Sequence, residues 1–379
     1  MKIGLLTHSV NPRGGVVHTL ELADALAGLG HDVTVFAPAA PGQAFFRGTA
    51  CRVSLAPVAP HGPGVPAMVQ ARIDAYVAHL RPLLAREDYD VLHAQDSISG
   101  NALADLAEAG DIGGFARTVH HLDDFDDARL AAWQHRAFAR AAQVFCVSDT
   151  WVAHLREHHG IAAERVANGV DLRRFRPDPA RVDAEVAARH GIRPGAPVFL
   201  AVGGIEARKN TLRILQAYAE VRRTHPGAQL VVAGGASLLD HDGYARAFHA
   251  ALFALGPAGP GPAPVVLTGT VSDEAMAALY RLADALVMPS LREGFGLAVL
   301  EALACGTPAV VSNRRPFTEY LTAADCHFAD PESVRSIAQA MRDAPGRAPE
   351  AVALLARHSW RASARRHAEL YEAAQAAAF

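Results

Sequence analysis

Residues 2–20 read Lys2-Ile3-Gly4-Leu5-Leu6-Thr7-His8-Ser9-Val10-Asn11-Pro12-Arg13-Gly14-Gly15-Val16-Val17-His18-Thr19-Leu20. The run 2–10 predicts a strand, 11–15 a loop, and 16–29 a helix that Gly30-His31 ends. A second apolar run at 32–38 predicts the next strand. Strand, glycine loop, helix, strand is one parallel βαβ unit. The same alternation continues outward. Strands are predicted at 52–58, 90–95, 117–120 and 144–147, with helices near 67–86, 99–109, 126–141 and 149–159. Composition then shifts. Residues 173–197 carry Pro177, Pro179, Pro194 and Pro197 around one helical stretch. After them the pattern restarts, with strands at 198–202, 229–233, 265–268, 285–288 and 308–312. Helices fit near 210–224, 242–255, 273–282, 297–304 and 331–342, a Gly/Pro-rich surface loop at 256–264, and a last helix at 359–378. The expectation is α/β: two doubly wound Rossmann-like domains with parallel sheets facing a central cleft. Their bounds are 1–172 and 197–357, joined by a linker at 173–196. A C-terminal helical segment at 358–379 packs back on the first domain. Ligands of such sheets bind beyond the carboxyl ends of the strands.

Length and composition agree with two domains. The chain has 379 residues, half of them hydrophobic and a fifth charged. A formal net charge of −3 argues against a chain that lives on nucleic acid. Cys51, Cys146, Cys305 and Cys326 lie too far apart in sequence for a metal-binding pair, and reduced thiols of a cytoplasmic protein are expected. The N-terminus has no long apolar region followed by a small-residue cleavage site, and no apolar run reaches the roughly 18–20 residues of a membrane span. Of 36 basic residues only Lys2 and Lys209 are lysine. Arg72, Arg81 and Arg86 are interrupted by Asp74 and His79, so peripheral association with the inner membrane face is compatible but not favoured.

Four segments could carry chemistry, each just after a predicted strand. Gly14-Gly15 opens a helix, where glycines let backbone amides approach an anion. The alternative is a tight turn, and the absence of GxGxxG makes a dinucleotide reading weak. In Gly203-Gly204-Ile205-Glu206-Ala207-Arg208-Lys209-Asn210, two cations stand at a predicted helix start, an unfavourable place unless an anion such as a diphosphate neutralises them. The third runs Arg292-Glu293-Gly294-Phe295-Gly296-Leu297-Ala298-Val299-Leu300-Glu301. Eight residues of helix advance about 12 Å, longer than the ~5–9.5 Å of a glycosidase carboxylate pair. Two carboxylates gripping different parts of one extended ligand fit better, with the amides of Gly294 to Leu297 toward a phosphate. The fourth, Thr118-Val119-His120-His121-Leu122-Asp123-Asp124-Phe125-Asp126, offers His120 as acid, base or hydrogen-bond partner. Its Asp124-x-Asp126 is read as helix-capping acid in preference to a metal site.

Together these residues resemble the family 4 retaining glycosyltransferases of the GT-B fold. Gly14-Gly15-Val16 resembles the family's N-terminal glycine loop, Thr118-Val119-His120 its T-x-H strand end, and Asn168-Gly169-Val170-Asp171 its N-G-V-D. Arg208-Lys209-Asn210 resembles the basic phosphate clamp, Thr268-Gly269-Thr270-Val271-Ser272 the loop beside the nucleotide base, and Glu293 with Glu301 the E-x7-E signature. One departure is Gly203-Gly204 where the family usually has Gly-Arg.

The resemblance implies catalytic roles for His120, Glu293, Lys209 and Arg208. It implies a nucleotide-sugar site of Gly14, Gly15, Gly203, Arg208, Lys209, Val271, Glu293, Gly294, Phe295, Gly296, Leu297 and Glu301. Glu293 would hold donor-sugar hydroxyls, Glu301 the ribose, Arg208 and Lys209 the diphosphate, and Gly15 the distal phosphate. The implied reaction is retaining transfer from a nucleotide-diphosphate sugar to an acceptor hydroxyl by front-side substitution. It needs no metal and no cofactor beyond the donor itself. The acceptor is a small molecule, a glycan or a lipid-linked acceptor, and the location cytoplasmic. A nucleotide-sugar epimerase of the same architecture and a non-catalytic nucleotide-binding module are the alternatives.

Overall fold

The strands of the first half are mostly apolar and buried, the exposed edge strands at Arg52–Pro57 and Glu164–Arg165 excepted, and a parallel sheet with helices on either side covers both their faces. They are Lys2–Leu6 (β1), Asp32–Ala39 (β2), Arg52–Pro57 (β3), Val91–Ala94 (β4), Ala116–Val119 (β5), Gln143–Cys146 (β6) and Glu164–Arg165 (β7). They pair in parallel in the order β3-β2-β1-β4-β5-β6-β7. The second half forms Val198–Val202 (β8), Gln229–Ala233 (β9), Val265–Gly269 (β10), Ala285–Met288 (β11), Ala309–Ser312 (β12) and His327–Ala329 (β13), again parallel, in the order β10-β9-β8-β11-β12-β13. Each sheet therefore reverses winding once, between β1 and β4 and between β8 and β11. At such a switch point the flanking loops diverge and leave a crevice at the strands' carboxyl ends. The computed structural model describes residues 1–193, 195–235, 242–256, 263–347 and 349–377. Pro194 and residues 257–262 of the expected Gly/Pro loop lie outside the described residues.

The first compact unit is Met1–Gly169 together with His358–Phe379. On one sheet face Ile3, Leu5, Val33, Val35 and Phe145 pack with Val16, Leu20 and Ala23 of helix Gly14–Ala27 and with Ala364, Ala368 and Tyr371 of helix Trp360–Ala377. On the other, Leu6, Leu92 and Ala94 meet Tyr76 and Leu80 of helix Val65–Leu84 and Leu103 and Leu106 of helix Ser97–Glu108. The returning segment passes so close to Gly169 that a Cβ there would lie 2.2 Å from the Trp360 nitrogen. That contact gives the Asn168-Gly169 pair a structural reason. Gly169→Ala is expected to loosen the last helix and cost about 1–3 kcal/mol, the range of an overpacked site, measured by urea denaturation. An unchanged midpoint would show that the segment can shift freely.

The second unit is Val170–Arg357. Its core joins Phe199, Ala201, Leu230, Val232, Val287 and Val310 with Ile214, Tyr218 and Val221 of helix Thr211–Arg222 and Ile337 and Met341 of helix Val334–Asp343.

Several sequence expectations shift. The first strand stops at Leu6 because Thr7 to Ser9 are polar, and Val10 joins a separate small cluster with Ala37 and Ala39. β7 and β13 are two and three residues long, too short to show a period. The expected linker at 173–196 belongs to the second unit. Its helix Arg181–His190 packs against helix Asp273–Leu282, with Val186 buried. Asp183 there accepts hydrogen bonds from Arg281 Nε at 2.9 Å and Nη2 at 2.6 Å. Among the described residues no helix is long and apolar enough to cross a membrane.

Candidate active site

The second unit's switch point brings two predicted motifs together. β8 ends at Val202, and Gly203 and Gly204 follow with φ of 118° and 75°. Both donate their amide to the carbonyl of Ala233 at the end of β9. A Cβ on Gly204 would lie 2.6 Å from the Gly235 carbonyl oxygen, and one on Gly203 would lie 2.9 Å from Lys209 Cε. This explains the departure from the family pattern. Backbone packs on backbone here at positive φ, so an arginine in place of Gly204 would not fit this arrangement.

Helix Thr211–Arg222 begins one residue later than its sequence suggests, with Asn210 as N-cap at φ 64°. Arg208 and Lys209 therefore sit in the turn before the helix, and Asn210 pins that turn. Its Nδ2 donates to the carbonyls of Pro289 at 3.0 Å and Pro331 at 2.6 Å. The Leu291 amide donates to the Arg208 carbonyl at 2.9 Å. The loop after β8 and the loop after β11 are thus one hydrogen-bonded body.

Charge is concentrated where they join. Lys209 Nζ donates to Glu293 Oε1 at 2.6 Å, and Arg208 Nη1 lies 3.4 Å from the same oxygen. Arg208 Nη2 lies 3.3 Å from Glu206 Oε2. The side chains of Glu293 and Lys209 are only 7% and 16% exposed. Burial lowers the Lys209 ammonium below its ordinary range, while Glu293 opposes that shift. Glu293 and Glu206 thus supply counter-charge to the two cations within the chain itself.

The rest of the E-x7-E segment is held by aromatic rings. Helix Leu297–Ala304 starts after Gly296, whose φ is 100° and whose added Cβ would lie 2.6 Å from Phe317 Cε1. Glu293 therefore lies before the helix, and only Glu301 projects from it. Tyr280 donates to Glu301 Oε2 at 2.7 Å. Phe295 stacks on Tyr320 with centroids 4.6 Å apart, and the Tyr320 hydroxyl donates to the Phe295 carbonyl at 2.7 Å. Gly294 and Leu297 lie on the same loop and first turn. Val271 is half-buried in the loop beyond β10, next to Thr270, whose Oγ1 would meet a Cβ on Gly235 at 2.6 Å. The Ser290 hydroxyl is buried without a hydrogen-bond partner among the described residues. Asn210 was read as part of the clamp motif but not as the residue that pins it, and Glu206, Tyr280 and Tyr320 were not legible as site residues. Only Glu206, an acid two positions before the cation pair, carried a hint.

In the first unit His120 follows β5, and Gly15, in the first turn of helix Gly14–Ala27, faces it. A Cβ on Gly15 would lie 3.8 Å from His120 Cδ2, whereas Gly14 has nothing within 4 Å. His18 meets His120 edge-on with centroids 4.6 Å apart, and its Nδ1 lies 2.9 Å from Asn168 Oδ1. Burial drives the His120 imidazole well below its ordinary range, with His18 and Arg117 adding to the shift, so it is neutral. Its Nε2 has no hydrogen-bond partner among the described residues. Asp127 caps helix Ala128–Ala139 by accepting from the Arg129 amide at 2.9 Å, and Asp123 N–H donates to Gln134 Oε1 at 2.8 Å. Among the described residues no group of three His, Cys, Asp or Glu is placed to hold a metal ion.

Two family models match the chain. One described as Glycosyltransferase Family 4 covers residues 12–174, and one described as Glycosyl transferases group 1 covers 182–347. The whole chain is 30% identical to the GDP-mannose-dependent alpha-(1-6)-phosphatidylinositol dimannoside mannosyltransferase of Mycobacterium tuberculosis, spanning 94% of that protein. The chain belongs to the family 4 glycosyltransferases. This glycosyltransferase is also 30% identical, over 59% of its length and 54% of the relative's, to the D-inositol 3-phosphate glycosyltransferase of Pseudarthrobacter chlorophenolicus. Its fold is GT-B. Sucrose-phosphate synthase from Thermosynechococcus elongatus superposes with a TM-score of 0.80 at 20% identity, over 99% of both chains. Anabaena HepE, solved with UDP and glucose, gives 0.76 at 17%, over 98% of this chain and 99% of its own.

Proposed function

We propose that this glycosyltransferase moves a sugar from a nucleoside-diphosphate sugar to an acceptor hydroxyl with retention of anomeric configuration and without a metal ion. The observation that carries this reading is the buried cluster of Lys209, Arg208 and Glu293 at the switch point of the second sheet. Cleaving a sugar–phosphate bond leaves positive character on the sugar and an added negative charge on the diphosphate. Fixed cations stabilise the charge that grows only in the transition state. Lys209 and Arg208 are assigned to the diphosphate, Glu293 to donor-sugar hydroxyls, and Glu301 to the ribose. His120 is assigned to the acceptor side, and the Gly15 amide to the distal phosphate. The acceptor oxygen bonds to the anomeric carbon on the face the phosphate leaves. Its proton passes to the departing phosphate oxygen. No carboxylate nucleophile behind the sugar is needed. Peptide amides and two cations supply the neutralisation for which a metal would otherwise serve. The mycobacterial relative is named for GDP-mannose and HepE was solved with UDP and glucose, so GDP-mannose and UDP-glucose head the donors to test. Four free cysteines suit a reducing compartment, and we place the protein in the cytoplasm.

Thermal shift against a panel of nucleoside diphosphates tests donor binding. A true site ligand at 100 times its Kd stabilises by about 2.7 kcal/mol. Release of nucleoside diphosphate that requires an acceptor is expected. Conversion of the donor alone would instead mark an epimerase, and binding without turnover a non-catalytic module. Turnover is expected to be unchanged in chelator. Strict dependence on Mg²⁺ or Mn²⁺ would overturn the assignment of Arg208 and Lys209 as the sole neutralising charges.

A further inference from the structure

The second sheet ends on β13, and beside that edge strand lies an open cavity of about 640 Å³. Small-molecule sites span about 300–1,000 Å³. Its walls are β13, helix Val334–Asp343 and the segments that flank them, and none of the residues assigned above to the nucleotide sugar takes part. Most polar groups that line it are donors. At one end Ser333 Oγ accepts from the Ser336 amide at 3.1 Å and Ser336 Oγ from the Asp330 amide at 3.0 Å, so each hydroxyl keeps its own proton to give. Arg335, next to Ser336 in the chain, is exposed and makes no ion pair among the described residues. The helix runs about 10 Å from Ser336 to Asp343. His327 and Arg347 stand with Asp343 at that other end. His327 shares its strand face with Ala329, which joins the core with Ile337 and Met341 of the helix. Its Nε2 is buried with no hydrogen-bond partner among the described residues. Burial holds the ring below its ordinary range and Arg347 adds to the shift, while Asp343 opposes it. The neutral ring with its proton on Nε2 is a donor. Arg347 Nη2 donates to the Ala323 carbonyl at 3.0 Å. Asp343 is the one acid of the lining among the described residues, and Gln339 Nε2 donates to its two oxygens at 2.9 and 3.0 Å.

The two ends differ in kind. Ser333, Ser336 and Arg335 offer only donors, which suits an anion with several acceptor oxygens, and a phosphate monoester brings three. His327, Arg347 and Asp343 offer donors and a carboxylate with lone pairs to spare, which suits hydroxyl groups. The donor-only end is also tied to the candidate active site. Pro331, two residues before Ser333, gives its carbonyl to Asn210 Nδ2 at 2.6 Å, and Asn210 is the N-cap behind Arg208 and Lys209. The Glu332 amide donates to Asp330 Oδ1 at 3.0 Å, so residues 330–336 form one closed turn. Helix Val334–Asp343, which follows it, packs on helix Thr211–Arg222. The turn thus bonds to the Lys209 segment on one side and lines the cavity on the other. A ligand on the serine hydroxyls and a nucleotide at Lys209 order the same short piece of backbone, so each lowers the ordering cost left to the other.

We propose that the cavity beside β13 is an effector site for a small hydroxylated phosphate monoester, with Ser333, Ser336 and Arg335 on the phosphate and His327, Arg347 and Asp343 on the hydroxyl-bearing end, and that its occupancy tightens nucleotide binding through Pro331 and Asn210. The regulatory sense rests on the transferase reading, whereas the binding site does not. Ribose 5-phosphate is the probe, titrated by thermal shift beside inorganic phosphate and ribose. The ester should raise the melting temperature most, phosphate less, and ribose not at all. Arg335→Ala/Arg347→Ala should weaken the ester at least tenfold. Both side chains are exposed, so this variant keeps its fold and its basal activity. Lys209→Ala should leave the shift in place. No shift in the wild-type protein, an undiminished shift in the double variant, or a shift that Lys209→Ala abolishes overturns the site.

The second arm measures the Kd of GDP and of UDP by calorimetry, with and without saturating ribose 5-phosphate. Whichever nucleotide binds should bind about fivefold tighter with the ester present, and saturating nucleotide should tighten the ester by the same factor, since coupling is reciprocal. Asn210→Gly keeps the φ of 64° open to the backbone and deletes the amide that reaches Pro331. It should still bind the ester, with the coupling factor reduced to one. A factor of one in the wild-type protein, or full coupling in Asn210→Gly, refutes the effector role and spares the transferase reading. If neither nucleotide binds with or without the ester, the transferase reading falls and the effector role with it, while the ribose 5-phosphate titration still decides the cavity.

Discussion

Lys209→Ala is expected to lower kcat for sugar transfer by about 10²–10³-fold, the cost of removing one preorganised charge from a developing anion. It should also destabilise the second unit by about 3 kcal/mol, because breaking a buried ion pair strands the remaining charge. Glu293 Oε1 takes both Lys209 at 2.6 Å and Arg208 at 3.4 Å, so the substitution removes the shorter of these two contacts. The two effects separate in a double variant. Lys209→Met with Glu293→Leu removes both members of the pair and should recover most of the lost stability while recovering no activity. Urea denaturation and steady-state kinetics on the same samples read both. A single variant with kcat within threefold of wild type would mean that the cluster only builds the fold.

Acid should unfold the first unit well before its carboxylates titrate. His18, His93, His120 and His367 are buried against one another and against Tyr371, Trp360 and Phe145. Burial lowers His18 to about 3 and His367 to about 4, and drives His93 and His120 well below their ordinary range. In the unfolded chain each would titrate near 6.5. Below that pH the unfolded state therefore binds more protons than the folded one, and stability rises with pH. The stabilisation is complete above about pH 7 and is lost as pH falls from about 6.5 toward 4. Between pH 7 and pH 5 the loss is roughly 2 kcal/mol for each histidine, so roughly 7–8 for four. That is comparable to a whole domain's stability of about 5–15 kcal/mol. Unfolding free energies measured at pH 7, 6 and 5 should show the slope, and His367→Phe should reduce it by one proton. A flat profile over that range would mean that the cluster is hydrated or charged in the folded protein.

The strand runs at 198–202, 229–233 and 285–288 were readable to the residue because a doubly covered parallel strand must be apolar along its length. The E-x7-E and Arg208-Lys209 segments were readable as site residues because glycines and charges after such strands have few other uses. The pairing of Glu293 with Lys209 was not readable, since the two are 84 residues apart and meet only because β8 and β11 are neighbours. The cavity beside β13 was not readable either. In the sequence Arg335 and Arg347 are two arginines among 34, and they line one cavity with His327 only once β13 and helix Val334–Asp343 pack together.

What the chain determined by itself was local: which stretches are strands, where backbone must turn at positive φ, and which charged residues stand beyond strand ends. Propensity, periodicity and the steric freedom of glycine act over a few residues and so leave their mark in order along the chain. Strand order was decided only by tertiary structure, and with it which charges neutralise each other and which are left wanting a partner. Coulomb energy and desolvation depend on distance and burial in space, and neither is written in sequence separation.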